Sequence, residues 1–329
     1  MLTMLMPRPR KGRSLAGQRR SQGPGAVRPM PGVPAASVRG WSRRTFLFRS
    51  VSAIALAGAQ VRGPANCGPR TPLDELEAQL GGRIGVVAID TGSGARIAHR
   101  EAERFAMCST FKWILAGAVL DQDDRSGAIL ERRLSFGPQD LLAHSPVTEE
   151  HLAEGSLTIA ELCKAAVEAS DNTAANTLLR FIGGPAALTR YLRKIGDPST
   201  RLDRIEPSLN SNLRGDPRDT TTPNAMLATM HTLLIGNALS AASRETLLLW
   251  MKNCETGRHR LRAGLPSTWT AGDKTGTGDR GAANDDAIVW PPQRSPILVA
   301  AYLSDSRAAP QALDAAHERI GRIVASTFS

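Results

Sequence analysis

The sequence predicts an α/β fold: an antiparallel sheet built from both chain ends with flanking helices, plus an inserted all-α domain. Three observations lead there. Runs rich in Val and Ile with strand character lie near the front, Arg83 to Asp90, and again at the back, where they return three times. Between them, from Ser109 to about Asn253, the pattern is mostly helical, broken at Gly137-Pro138, Gly155, Gly183-Gly184-Pro185 and Gly196-Asp197-Pro198. Turn chemistry at Asp90-Thr91-Gly92-Ser93-Gly94 joins the first run to a second as a hairpin, which makes the sheet antiparallel. The expected organisation is a leader over 1–59, a discontinuous α/β domain over 60–105 and 255–329, and an all-α domain over 106–254, with the functional site between the two.

The leader accounts for the charge. The 329-residue chain carries a formal net charge of +10, which on its own points to a nucleic-acid partner. Residues 1–59 hold 11 Lys and Arg and no Asp or Glu; the rest holds 30 basic against 31 acidic residues. The body is therefore nearly neutral. With only two Tyr and seven Phe in the whole chain, there is little for base stacking, so no nucleic-acid partner is expected. Ser42-Arg43-Arg44-Thr45-Phe46-Leu47 resembles a twin-arginine export signal. Val51 to Ala59 follows as an apolar segment too short for a spanning helix, and Ala57-Gly58-Ala59 fits a small-x-small cleavage site. The expectation is a monomeric periplasmic protein with no stable membrane association after signal removal. Met1 and Met30 both remain available as starts.

Along the body, Thr71 to Leu80 reads as a short helix, Arg83 to Asp90 as a strand and Ala95 to His99 as its hairpin partner. Arg201 to Pro223 is a long polar stretch with poor periodicity, of the kind that is functional or unstructured. Strands return at Thr268 to Thr277, Asp286 to Trp290 and Ile297 to Leu303, and Gln311 to Ser326 reads as a closing helix. The cysteines are Cys67, Cys108, Cys163 and Cys254, whose spacing dictates no pairing. No Cys-x-x-Cys or His-Glu-x-x-His occurs, so neither metal nor cofactor is expected.

The chemistry begins at Ser109-Thr110-Phe111-Lys112, at the head of an apolar run from Trp113 to Leu120. Residues three apart share a helix face. A lysine heading a buried helix needs partners or a lowered pKa, and a serine hydroxyl is a poor nucleophile until a base takes its proton. Each residue answers the other's requirement. Taken alone, the pair reads first as a capping serine and a snorkelling lysine. Three further pieces change that balance: Ser170-Asp171-Asn172, Glu206-Pro207-Ser208-Leu209-Asn210 in the long polar stretch, and Lys274-Thr275-Gly276-Thr277-Gly278 on the first late strand.

Ser-x-x-Lys, Ser-Asp-Asn and Lys-Thr-Gly in this order resemble the signature of class A serine β-lactamases, over about Leu73 to Ile323. The resemblance implies hydrolysis of the lactam amide of penicillins and cephalosporins through an acyl-serine intermediate, on a small-molecule β-lactam substrate. It implies Ser109 as nucleophile, Lys112 as a candidate base and Ser170 as a proton relay. Asn172 would hold Lys112 and a substrate carbonyl, and the backbone N–H groups of Ser109 and Thr277 would form an oxyanion hole. Glu206 with Asn210 would hold and activate a water against the acyl-enzyme. Lys274, Thr275, Gly276 and Thr277 would receive the substrate carboxylate together with Arg260, which otherwise stands as a solvated surface arginine. His144 takes the place of an aromatic at the pocket mouth, or is a plain surface histidine. Arg204 and Asp219 would clamp the long loop, and Glu206-Pro207 would be cis.

Two departures follow from the same resemblance. Cys108 precedes the nucleophile as in carbapenem-hydrolysing members, but their disulfide partner position holds Gly278. The partner position of Cys163 holds Ala116, so Cys163 reads as a buried free thiol. The alternatives to a hydrolase are a penicillin-binding D,D-peptidase and a non-hydrolysing β-lactam sensor; Glu206 and Asn210 count against both, since neither needs a deacylating water.

Overall fold

The computed structural model describes residues 70–329. The export signal, its cleavage site and Cys67 lie outside the described residues. Helix α1, Pro72–Leu80, starts on a Thr71 capping box closed by Asp74 and stops at Gly81, whose φ of +67° suits a residue without Cβ. Strands β1, Arg83–Asp90, and β2, Arg96–His99, form the expected hairpin.

The middle segment is helical apart from two short ribbons. Helix α2, Phe111–Ser126, is buried on every side from Phe111 to Asp121. Around it stand α3, Pro146–Glu150; α4, Ile159–Glu168; α5, Asn172–Ile182; α6, Pro185–Lys194; α7, Pro223–Met230; and α8, Ala241–Lys252. A helical pattern alone does not reveal the ribbons, because their strands are two or three residues long. Strand β3, Phe105–Ala106, pairs with β6, Thr220–Thr221, and β4, Arg133–Ser135, pairs with β5, Ser156–Thr158.

The late strands are β7, Thr270–Thr277; β8, Ala283–Trp290; and β9, Ile297–Ser304; helix α9, Pro310–Phe328, closes the chain. The main sheet runs in the order β2-β1-β9-β8-β7, antiparallel throughout. Strand β8 begins at Ala283, three residues before the expected Asp286. Asn284 and Asp285 lie outside the expected strand, yet they and Asp286 are all fully buried in it. Period-2 alternation sends Ile288, Leu298 and Ala300 to the core shared with α2, and Ala287, Val289 and Val299 to a second core under α1 and α9. The sheet is thus covered on both faces, and the edge of β7 beside the turn that precedes α2 is where polar side chains converge.

Candidate active site

Ser109 lies in a 3₁₀ turn, Cys108–Thr110, immediately before α2. Cys108 holds a left-handed φ of +48°, and Thr110 Oγ1 donates to Met107 O at 3.0 Å, which fixes the turn. Lys112, in the first turn of α2, is fully buried. Its Nζ donates to Ser170 O at 2.8 Å and Asn172 Oδ1 at 2.6 Å, and lies 3.1 Å from Glu206 Oε1. Burial lowers the Lys112 ammonium below the usual lysine value, while the Glu206 carboxylate opposes that shift. The Ser109 hydroxyl donates to the same Glu206 Oε1 at 3.0 Å. Serine and lysine therefore meet through one carboxylate oxygen.

Asp171 builds the next piece. It caps α5 by accepting from Ala174 N at 2.8 Å, and it accepts from Thr148 N at 2.9 Å and Thr148 Oγ1. With Asp171 pinned, its neighbours are aimed: Ser170, at φ +58°, presents Oγ to Lys274 Nζ at 2.9 Å, and Asn172 presents Oδ1 to Lys112 and donates Nδ2 to Ala143 O at 2.8 Å. Ser170 thus touches both lysines, one through its carbonyl and one through its hydroxyl. Lys274 is fully buried on β7, and burial, with a lesser push from Lys112, lowers its pKa to about 8.

The long loop is held from inside. Asp219, fully buried, accepts from Asp203 N at 2.7 Å, Arg204 N at 2.9 Å and Arg204 Nε at 2.5 Å. The Glu206-Pro207 bond is cis. Asn176 on α5, to which the sequence assigned no role, grips the backbone of Glu206 at both ends: its Oδ1 accepts from Glu206 N at 3.0 Å and its Nδ2 donates to Glu206 O at 2.9 Å. Asn210 Nδ2 donates to Glu206 Oε2 at 2.6 Å, and Asn210 Oδ1 is buried without a hydrogen-bond partner among the described residues.

Strand β7 closes the site. Gly276 passes so near the Ser109 turn that a Cβ there would lie 2.6 Å from Met107 O and 3.1 Å from Ser109 N. Arg260 is 8 % exposed, so the solvated-arginine alternative fails. It lies along the strand, donating to Gly276 O at 2.9 Å, Asn284 O at 2.7 Å, Thr277 Oγ1 at 2.7 Å and Asp314 Oδ1 at 2.9 Å. The Thr275 hydroxyl meets that of Thr256 at 2.5 Å. His144 is exposed, and it lines the same cleft of about 510 Å³ as Ser109, Ser170, Asn172, Asn210, Arg260 and Thr277. A Cβ on Gly278 would lie 2.6 Å from both Cys108 Sγ and Asn210 O. Cys108, Cys163 and Cys254 are buried free thiols.

Beneath the site are buried carboxylates that sequence reasoning missed. Asp286 accepts from Trp113 Nε1 at 3.1 Å and Tyr302 Oη at 2.7 Å, and burial pushes its pKa up to about 7. Asp273, next to Lys274, pairs with Arg262 at 2.6 Å. The only signal in the sequence was three consecutive polar residues, 284–286, abutting an apolar run. Among the described residues no group of three or more His, Cys, Asp or Glu is placed to hold a metal ion.

Chemically, this is a hydroxyl with an acceptor for its proton at 3.0 Å, two buried lysines of lowered basicity and a strand edge rich in donors. Comparisons with known proteins agree in kind. The model of the beta-lactamase enzyme family matches residues 69–328. The chain is 48% identical over 232 residues to the carbapenem-hydrolyzing beta-lactamase KPC of Klebsiella oxytoca, covering 70% of this chain and 79% of that protein. It is 44% identical over 262 residues to beta-lactamase CTX-M-8 of Citrobacter amalonaticus, covering 80% and 89%. Among solved structures, the ancestral (GNCA) class A beta-lactamase superposes with a TM-score of 0.76 at 56% identity, over 78% of this chain and 98% of that one.

Proposed function

The chain belongs to the beta-lactamase enzyme family and is a class A β-lactamase, and from that premise we propose how its residues divide the work. Ser109 Oγ attacks the lactam carbonyl carbon, and its proton passes into the pair formed by Glu206 and Lys112. The backbone N–H groups of Ser109 and Thr277 receive the oxyanion. The lactam C–N bond then breaks, and the nitrogen takes a proton through Ser170, which touches both lysines. Glu206 and Asn210 next hold a water; Glu206 takes one of its protons while the water oxygen attacks the acyl carbon, and the ester C–O bond then breaks as that proton passes back to Ser109 Oγ, leaving a ring-opened acid. The observation that carries this is the pair of contacts at Glu206 Oε1, 3.0 Å to Ser109 and 3.1 Å to Lys112. The unpartnered Asn210 Oδ1 supports the water's place, since buried acceptors are rarely left without a donor.

In this reading, the α/β lobe, 60–105 with 255–329, supplies Lys274, Thr275, Gly276, Thr277 and Arg260 for the substrate carboxylate. The helical lobe, 106–254, supplies the reacting groups, with Asn172 and His144 on the side-chain rim. Arg260 works mainly by aiming Thr277. The substrates are penicillins and cephalosporins. A D,D-peptidase or a sensor module shares Ser109 and Lys112 but needs neither Glu206 nor Asn210 in these positions. The enzyme acts as a monomer in the periplasm, confers resistance to β-lactams and reaches its compartment by the twin-arginine route through Arg43 and Arg44. No described helix is long and apolar enough to cross a membrane.

The test is intact-protein mass spectrometry beside a chromogenic cephalosporin assay. Wild type should turn the cephalosporin over and show no lasting adduct, and Ser109→Ala should neither hydrolyse nor form one. A wild type that stays acylated for hours would hand the site to the sensor or peptidase reading. For export, Arg43→Lys with Arg44→Lys should leave the protein in the cytoplasm; mature enzyme in the periplasm at the normal rate refutes the route.

A further inference from the structure

Apart from the catalytic cleft, the base of the long loop encloses a second cavity of about 130 Å³. Five arginines line it, Arg83, Arg104, Arg204, Arg214 and Arg218, against two carboxylates, Asp216 and Asp305. The charges do not balance locally. Asp305 is already shared by Arg83 at 3.0 Å, Arg280 at 3.5 Å and Arg214 at 3.6 Å, and Arg83 also pairs at 2.9 Å with Glu103, which Arg100 shares. Asp216 serves Arg218 at 2.8 Å and Arg204 at 3.9 Å, and Arg204 leans on Asp219. Arg104 meets no carboxylate among the described residues; it donates only to Ser199 O and Thr220 Oγ1, both at 3.0 Å. Arginines crowded round a concavity with too few carboxylates repel one another, and a planar guanidinium is built to grip oxyanions with two N–H groups.

Size selects the guest. Pockets for drug-sized molecules run from ~300 Å³ upward, so this one excludes a β-lactam and suits a small ion. The lining comes from the start of β1, the residue before β3, the long loop and the end of β9. A guest would therefore tie the loop that carries Glu206 to the sheet.

We propose that this cavity is a binding site for a tetrahedral oxyanion of the phosphate or sulfate class, gripped chiefly by Arg104, Arg214 and Arg218, and that its occupancy fastens the long loop. The site stands independently of the catalytic reading.

The experiment is thermal unfolding of the full mature enzyme in sodium phosphate and in sodium sulfate, each against sodium chloride at matched ionic strength. Such salts also stabilise proteins by exclusion from the surface, an effect that grows without saturating. A bound ion instead fills a saturable site, and that site's contribution to Tm is logarithmic in concentration above Kd, about 5–10 °C at a hundredfold excess, where exclusion grows linearly. Arg104→Gln with Arg214→Gln should abolish the saturable part and keep the unsaturable one. Arg214 is 76 % exposed in its side chain, so Arg214→Glu alone should fold and should weaken phosphate about tenfold or more. Lys274→Ala, which removes the anion anchor of the catalytic cleft, should leave the saturable rise in place. The proposal is overturned if wild type shows no saturable difference from chloride, if Arg214→Glu binds phosphate as wild type does, or if Lys274→Ala removes the effect.

Discussion

Replacing Glu206 by Ala should separate the two halves of the reaction. The carboxylate accepts from three groups: Ser109 Oγ, Lys112 Nζ and, at 2.6 Å, Asn210 Nδ2. Its loss leaves Lys112 two acceptors, Ser170 O and Asn172 Oδ1, so the ammonium is not stranded. Burial already lowers the Lys112 pKa and Glu206 is the chief group opposing it. Without that carboxylate the lysine falls further toward its neutral form, which can take the Ser109 proton. Acylation should therefore survive. Deacylation has no such substitute, because the other group placed to hold the water, Asn210, carries an amide and no base. General base catalysis contributes about 10²–10⁴-fold, or roughly 3–5 kcal/mol of barrier. A penicillin added to Glu206→Ala should build up one covalent equivalent on Ser109 within the first turnover and clear about 10²–10⁴ times more slowly than in wild type. Intact mass over a quench series reads both steps. Turnover of Glu206→Ala at the wild-type rate would show that the water has another base, and absence of any adduct would show that Lys112 cannot act alone.

Three further outcomes follow from the same geometry. Lys274 titrates near pH 8 in the folded protein against an ordinary lysine value near 10.5; between these the unfolded chain holds a proton that the folded protein lacks, so this group adds stability as pH rises from 8 to 10.5 while substrate capture declines. The alkaline limb of kcat/KM should therefore begin near pH 8 and move upward in Lys274→Arg, whose guanidinium stays charged; a limb that does not move rules out Lys274 as its source. Arg260→Ala should weaken carboxylated substrates by about 1–3 kcal/mol, read as kcat/KM, because Thr277 loses the donor that aims it; unchanged kcat/KM would remove Arg260 from substrate recognition. Carbapenems should be hydrolysed far less well than penicillins, since Gly278 leaves Cys108 a free thiol beside Asn210; comparable kcat/KM values for the two classes would refute this.

The parts of the fold legible in the sequence are those with local signals. The Asp90–Gly94 turn, the continuous apolar run of β9 and the charge-free run of α2 each announce their element. The reacting residues were legible because their types and order are rare together. What was not legible depends on contacts across the chain. Asn176 looks like any helical asparagine until the loop 30 residues later arrives at its amide. Asn284 and Asp285 fell outside the expected strand because polar residues seldom enter a sheet; partners from elsewhere, such as Ala106 O for Asn284, Leu261 N for Asp285 and Trp113 and Tyr302 for Asp286, make burial tolerable. Arg260 sits in a basic run whose surface character is true of its neighbours Arg258 and His259 and false of itself.

The last strand of the chain occupies the middle of the sheet, and this governs when the protein can exist at all. Every residue of β1, from Arg83 opposite Ser304 to Asp90 opposite Ile297, waits for a partner made more than 200 residues later. At a ribosomal pace of ~5–20 residues per second, the wait is about 10–40 s. Until then β1 has only β2, and a lone hairpin is marginal in water. The apolar Val86 and Val87, fully buried in the folded protein, spend that interval without the strand beside them, and exposed apolar strand surface of this kind is prone to aggregate. A chain that stops before Ile297 has no sheet to bring Lys274 to Ser109, and synthesis of β9 is the event that commits the chain to its native form.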